Sequence, residues 1–78
     1  MAYTNEMKRA ARSIDPPANF YVDIIDNDNF LSVRASEDVF MRLDDYGKRK
    51  AVEYMARLKK ALEDNGAIVL LVREGGKA

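Results

Sequence analysis

Carboxylates are where chemistry would have to begin in this chain. The run Asp26-Asn27-Asp28-Asn29 sets hard oxygen ligands at alternate positions, and Glu37 is the twelfth residue when Asp26 is the first. A calcium loop draws carboxylates from its first, third and twelfth positions. The match stops there. Phe30 holds the fifth position, and Leu31 holds the sixth, where a glycine must make the sharp turn. The flanking patterns are those of strands, not helices. Asp23 with Asp26 is the other pair that would hold a hard cation for metal-assisted hydrolysis. Acids gathered on a hairpin are the ordinary make-up of a solvated turn, so no metal site is expected.

The remaining catalytic repertoire is thin. Histidine and cysteine are absent, which removes the usual nucleophile–base pairs, disulfides and thiolate metal sites. Ser13, Ser32 and Ser36 are the only serines, and none sits in a Gly-x-Ser-x-Gly elbow. Gly47 and Gly66 are isolated, and Gly75-Gly76 lies in a polar tail, so no glycine loop cradles a phosphate. The chain is expected to be no enzyme and to need no cofactor.

Charge is the stronger clue. The 78 residues hold 13 Lys+Arg and 13 Asp+Glu, for a formal net charge of zero, yet the signs are segregated. Residues 1–12 carry +2, residues 13–47 carry −6, residues 48–60 carry +5 and the remainder −1. An acidic middle therefore precedes a basic helix, and such blocks bear on partners. Asp26, Asp28, Glu37, Asp38, Asp44 and Asp45 are the candidates for a protein-binding surface. Complementary charge steers a protein encounter and selects the partner. Lys48, Arg49, Lys50, Arg57, Lys59 and Lys60 form the alternative, a helix face that would follow a nucleic-acid backbone with tyrosines nearby to stack bases. Glu53 and Glu63 interrupt that face, and the acidic middle would repel phosphate.

These residues must be held by a few short elements. Tyr3, Met7, Ala10, Ala11 and Ile14 keep helical spacing over 4–14, with Thr4 or Asn5 as cap, until Asp15-Pro16-Pro17 stops the helix. Period two begins at Asn19. A turn centred on Asn27-Asp28 would set Ile24 against Leu31, Val22 against Val33 and Phe20 against Ala35, with Tyr21 opposite Arg34 and Asp23 opposite Ser32. Ser36-Glu37-Asp38 reads as a cap with first-turn acids, making 37–43 a short helical turn, with a third hairpin strand as the rival. Asp44 or Asp45 then caps a helix to about Asp64, whose inward stripe is Ala51, Met55, Leu58 and Leu62 with Val52 beside it. Gly47 weakens its first turn. Asn65-Gly66 ends it, and Ala67-Ile68-Val69-Leu70-Leu71-Val72 is an unbroken apolar strand.

The expected architecture is a small α+β domain of order αββαβ. An antiparallel hairpin is joined by a third strand that a crossover helix returns parallel to the second, and one strong helix covers the sheet. One domain spans 1–78: a weak helix and Pro-Pro linker over 1–18, a ββαβ core over 19–73 and a flexible tail over 74–78. Residues 67–72 are apolar on both sides, the pattern of a strand buried on two faces. Either the 4–14 helix roofs the second face or another copy of the chain does, and the latter, a homodimer, is favoured because so small a core gains from it. No apolar run approaches the ~18 residues of a membrane span, and the charged start is unlike a signal peptide, so a cytoplasmic protein is expected. The function these features favour is non-catalytic: an inhibitor or adaptor domain that binds another protein through its acidic surface, of the sort phages and mobile elements encode.

Overall fold

Residues 3–75 are described by a computed structural model. Along the chain lie α1 (Asn5–Arg12), β1 (Val22–Asp26), β2 (Leu31–Ser36), α2 (Glu37–Met41), α3 (Asp45–Asp64) and β3 (Val69–Glu74). The strands form one mixed sheet in the order β1-β2-β3. β1 is antiparallel to β2, and β3 is parallel to it across the α2–α3 crossover. The α+β architecture read from the sequence is the one observed. The rival third hairpin strand at 37–43 is replaced by α2. Of the tail proposed for 74–78, Glu74 closes β3, and residues 76–78 lie outside the described part.

Each helix begins where a side chain satisfies an orphan backbone donor. Thr4 Oγ1 accepts from Met7 N at 3.2 Å, Ser36 Oγ from Val39 N at 3.2 Å, and Asp44 Oδ1 from Gly47 N at 2.7 Å. α1 is shorter than the 4–14 expected, because Ser13 folds back to donate from Oγ to Ala10 O at 2.7 Å ahead of the prolines. α3 ends on Gly66, whose φ of 98° is left-handed. Gly66 N and Ala67 N still donate to Glu63 O and Leu62 O. Ala67 therefore belongs to the helix exit, and the third strand starts at Val69 rather than at 67.

The hairpin register differs by two residues from the sequence-based expectation. Val22 pairs with Ala35, Ile24 with Val33 and Asp26 with Leu31, while Asp23 faces Arg34 and Ile25 faces Ser32. A four-residue loop over 27–30 replaces the two-residue turn. Asp26 Oδ1 accepts from Asp28 N at 2.9 Å, Asp28 takes a φ of 69°, and Asn27 N donates to Phe30 O at 2.9 Å. The Asp26 carboxylate as acceptor and the Asn27 side-chain amide as donor to Ile25 O and Ser32 Oγ close the loop before the ladder can reach it. The faces survive, since a shift of two preserves side-chain parity. Phe20 and Tyr21 lose their strand places, since β1 begins at Val22. Tyr21 is exposed, whereas Phe20 is turned to the core. It lies ahead of β1, fully buried, with the rings of Phe40 and Tyr54 each edge-on at 6.4 Å.

All three helices lie on one side of the sheet. Met7 and Ala11 of α1, Phe40 of α2, and Ala51, Met55, Leu58 and Leu62 of α3 enclose a single core with Leu31, Val33, Ala35 and Val69. The molecule measures 34 × 28 × 13 Å between Cα atoms. That least dimension holds one sheet and one helical layer, which pack about 10 Å apart, and leaves no room for a third. Of the two covers considered for the far face, the first helix does not supply it: α1 packs beside α3 in the same layer. β3 is buried on one side only.

Candidate functional site

The sheet face turned away from the helices has no helix packed on it among the described residues. Alternation fixes its membership. Val22, Ile24, Leu31, Val33 and Val69 point to the helices, so the intervening residues point away. Across the strands they form two rows, Ile25–Ser32–Leu70 and Asp23–Arg34–Val72, with Glu74 beyond. Ile68 continues the apolar row by parity. Asn27 Nδ2 donates to Ser32 Oγ at 2.9 Å, so the hydroxyl at the centre is satisfied. Arg34 is ion-paired with Glu74 and has Asp23 opposite it in the register. The face thus has an apolar half near the hairpin tip and a charged half at the other end, bordered by the exposed ring of Tyr21.

The outer edge of β3 adjoins this face. Ile68 is 70% exposed, Leu70 53% and Leu71 39%, and Val52 of α3, overlooking the same edge, is 55% exposed. Between edge and helix runs a groove of about 280 Å³ lined by Phe40, Val52, Met55, Leu71, Val72 and Arg73. The Arg73 guanidinium lies 4.0 Å from the centre of the Phe40 ring, and its Nε stands 3.3 Å from Glu37 Oε1. That carboxylate oxygen is buried and makes no hydrogen bond, so the contact is Coulombic without directional alignment.

The six acidic candidates divide between the two ends of the sheet. Asp26 and Asp28 sit at the hairpin tip, whereas Glu37 and Asp38 follow the far end of β2, about 17 Å of strand away. The crossover brings Asp44 and Asp45, at the start of α3, to that second end. Several also have local duties: Asp26 Oδ2 accepts from Tyr3 N at 3.2 Å, Asp44 caps α3, and Glu37 faces Arg73. The continuous acidic surface expected from 26–45 is replaced by a loop anchor at one end and an acidic rim at the other.

The six basic candidates share a helix but not a face. Lys48 and Lys59 lie on the flank of Val52, overlooking β3. Lys50 and Arg57 join Tyr46 on the opposite flank, around a hollow of about 280 Å³ beside Ile14 and Pro17. Arg49 and Lys60 point outward between them. Three of the six are held by acids of the same helix: Lys50 by Glu53 at 3.5 Å, Lys59 by Glu63 at 2.8 Å and Lys60 by Asp64 at 3.2 Å. No single basic track results.

Asp23 and Asp26 fall on opposite faces of β1, because they differ by an odd number of residues. Among the described residues no group of three potential metal ligands comes together, and no helix is long and apolar enough to cross a membrane. Two tyrosines are perturbed. Burial pushes the Tyr3 hydroxyl up against the opposing pull of Arg12, and burial followed by the charge of Tyr3 pushes Tyr54 up. Both lie on the core side.

Fold and surface together define a two-layer α+β domain with one bare sheet face. No family model, curated protein or solved structure matches the chain. Ile25, Ile68, Leu70 and Val52, the apolar residues of the bare face and its edge, were not singled out from the sequence as site residues. Their signal was present in the unbroken apolar run 67–72. That run reports a need for cover, which the described residues do not meet.

Proposed function

We propose that this chain is a non-catalytic protein-interaction domain, an adaptor or inhibitor, that receives another protein on its bare sheet face. The observation that carries the proposal is the row Ile25–Ser32–Leu70 with Ile68, in which Leu70 and Ile68 are exposed, Ile25 is half-buried and Ser32 is buried, beside the charged group Asp23, Arg34 and Glu74. Exposed apolar side chains flanked by polar residues that include Arg and Tyr are the make-up of a protein contact patch. The acidic rim of Glu37, Asp38, Asp44 and Asp45 would steer a partner carrying basic residues and make its capture sensitive to salt. The scarcity of nucleophiles and bases supports the same class.

The test uses immobilised protein and the variant Ile25→Lys, which lies on the far side of the sheet from the β3 edge. A stoichiometric partner held by the parent chain and lost from Ile25→Lys, with the far-ultraviolet spectrum unchanged, is the expected result. Equal capture by both contradicts the assignment of the face. Reversal of Asp38 and Asp45 to lysine is expected to slow association and flatten its salt dependence.

A further inference from the structure

The edge of β3 presents main-chain groups as well as side chains. Leu31 N donates to Ile68 O at 2.8 Å, and Leu31, Val33 and Ala35 stand opposite Val69, Leu71 and Arg73. In a parallel ladder this register turns the N–H and C=O of 68, 70 and 72 toward β2 and those of Val69, Leu71 and Arg73 outward. Sheet edges are ordinarily guarded by lysine, proline or a bulge. Here residues 67–72 hold no charge and no proline.

We infer that the occupant of this edge is a second copy of the chain, its β3 running antiparallel to the first about a two-fold axis through Leu70. This inference rests on the reading of the bare face as a protein contact, which the pair would double. The register follows from the residues. Centred on Leu70, the pairing sets Leu70 against Leu70, Val69 against Leu71 and Ile68 against Val72, so every apolar residue from 68 to 72 meets another. Centring on Leu71 would set Ile68 against Glu74 and Val69 against Arg73, and centring on Val72 would set Leu70 against Glu74. The Leu70 register also agrees with the free main-chain groups: Val69 and Leu71 exchange their outward N–H and C=O, giving four hydrogen bonds across the axis. Side chains at the axis form the closer, non-hydrogen-bonded pair.

Charge supports the same occupant. The register carries Arg73 of each copy opposite Ala67 of the other, at the exit of α3, where the negative end of the helix lies. An axis perpendicular to the sheet keeps both helical layers on one side, so two bare faces become one six-stranded platform with Ile25 near either end. Ile68, Leu70, Leu71 and Val52 leave on the order of 400 Å² of apolar surface per copy, so the pair covers about 800 Å², below the ~1,200 Å² of a firmly held interface. The dimer is therefore a weak, concentration-dependent one.

Solution mass across a concentration series tests the inference, with Leu70→Lys, Leu70→Cys and Ile25→Lys beside the parent chain. The parent is expected to rise from the mass of one copy toward that of two. Leu70→Lys sets two ammonium groups face to face at the axis and is expected to weaken association at least tenfold while keeping the parent's helical spectrum. Cysteine is otherwise absent, so mild oxidation of Leu70→Cys is expected to give a covalent dimer, while a cysteine at Asn29 on the hairpin tip gives none. A parent chain of single-copy mass throughout, or Leu70→Lys and Asn29→Cys associating as readily as the others, overturns the inference. Ile25→Lys separates the two claims: it is expected to dimerise like the parent. Loss of captured partner from Ile25→Lys by a chain that never dimerises defeats the second copy and leaves the contact face standing. Dimers whose capture ignores Ile25 do the reverse.

Discussion

Ile25 and Leu70 stand in one row across the bare face, on either side of the satisfied Ser32 hydroxyl. One residue away in sequence, Ile24 points into the core. The sheet is thus asymmetric, and substitution should report it. Val33→Thr puts a hydroxyl into the fully buried core and is expected to cost about 1–3 kcal/mol. Leu70→Thr is expected to change stability by no more than about 0.5 kcal/mol. Urea unfolding of the two variants, followed by circular dichroism, measures the difference.

Phe20 joins the layers at the point where the hairpin register and the helices meet. Its ring is fully buried and touches Phe40 and Tyr54 edge-on. Phe20→Ala is expected to lose about 3–5 kcal/mol. A core of this size rarely supplies more than ~3–5 kcal/mol in all. The variant should therefore be largely unfolded at 25 °C, as read by near-ultraviolet dichroism and amide dispersion.

The start of α3 depends on Asp44, whose carboxylate holds Gly47 N at 2.7 Å. Asp44→Ala is expected to cost about 1 kcal/mol in urea unfolding. Gly47→Ala should fail to deliver the ~1 kcal/mol that alanine gains over glycine within a helix. Its Cβ would come within 3.1 Å of Asp44 Oδ1 and 3.2 Å of Leu43 Cβ, pressing on the cap itself.

Stability should fall at alkaline pH through Tyr3 and Tyr54. Burial raises both hydroxyls above their ordinary value, so the folded chain keeps these protons after the unfolded chain has released them. The contribution is complete below about pH 10 and is lost as pH climbs from there through the raised values. Tyr54→Phe removes one of the two groups, and its urea midpoint is expected to decline less steeply than the parent's above pH 10.

How far the sequence could be read depended on whether a signal was local. Asp44, the stripe Ala51, Met55, Leu58 and Leu62, and Asn65-Gly66 mark α3 through contacts within a turn or two, and its bounds match. The hairpin faces were legible because alternation fixes parity, but the register was not, because it turned on an Asx loop at Asp26 and a left-handed Asp28. The place of α1 depended on which side of the sheet it would choose, a tertiary choice that Met7 and Ala11 do not disclose. For the surface, charge signs along the chain implied one acidic patch, yet β2 separates Asp26 and Asp28 from Glu37 and Asp38 by its whole length. The apolar run 67–72 was the more faithful signal, and its exposed half became the site.

The central claim is that the described residues leave one face of the sheet uncovered. Methyl relaxation by a soluble paramagnetic agent tests it most directly, at a concentration low enough to hold single copies. Strong broadening of the Ile68 and Leu70 methyls is the result this account predicts, with those of Val33, Leu58 and Leu62 left sharp. Ile68 and Leu70 methyls as protected as that of Leu58 would mean that the chain folds over its own sheet, and would contradict it.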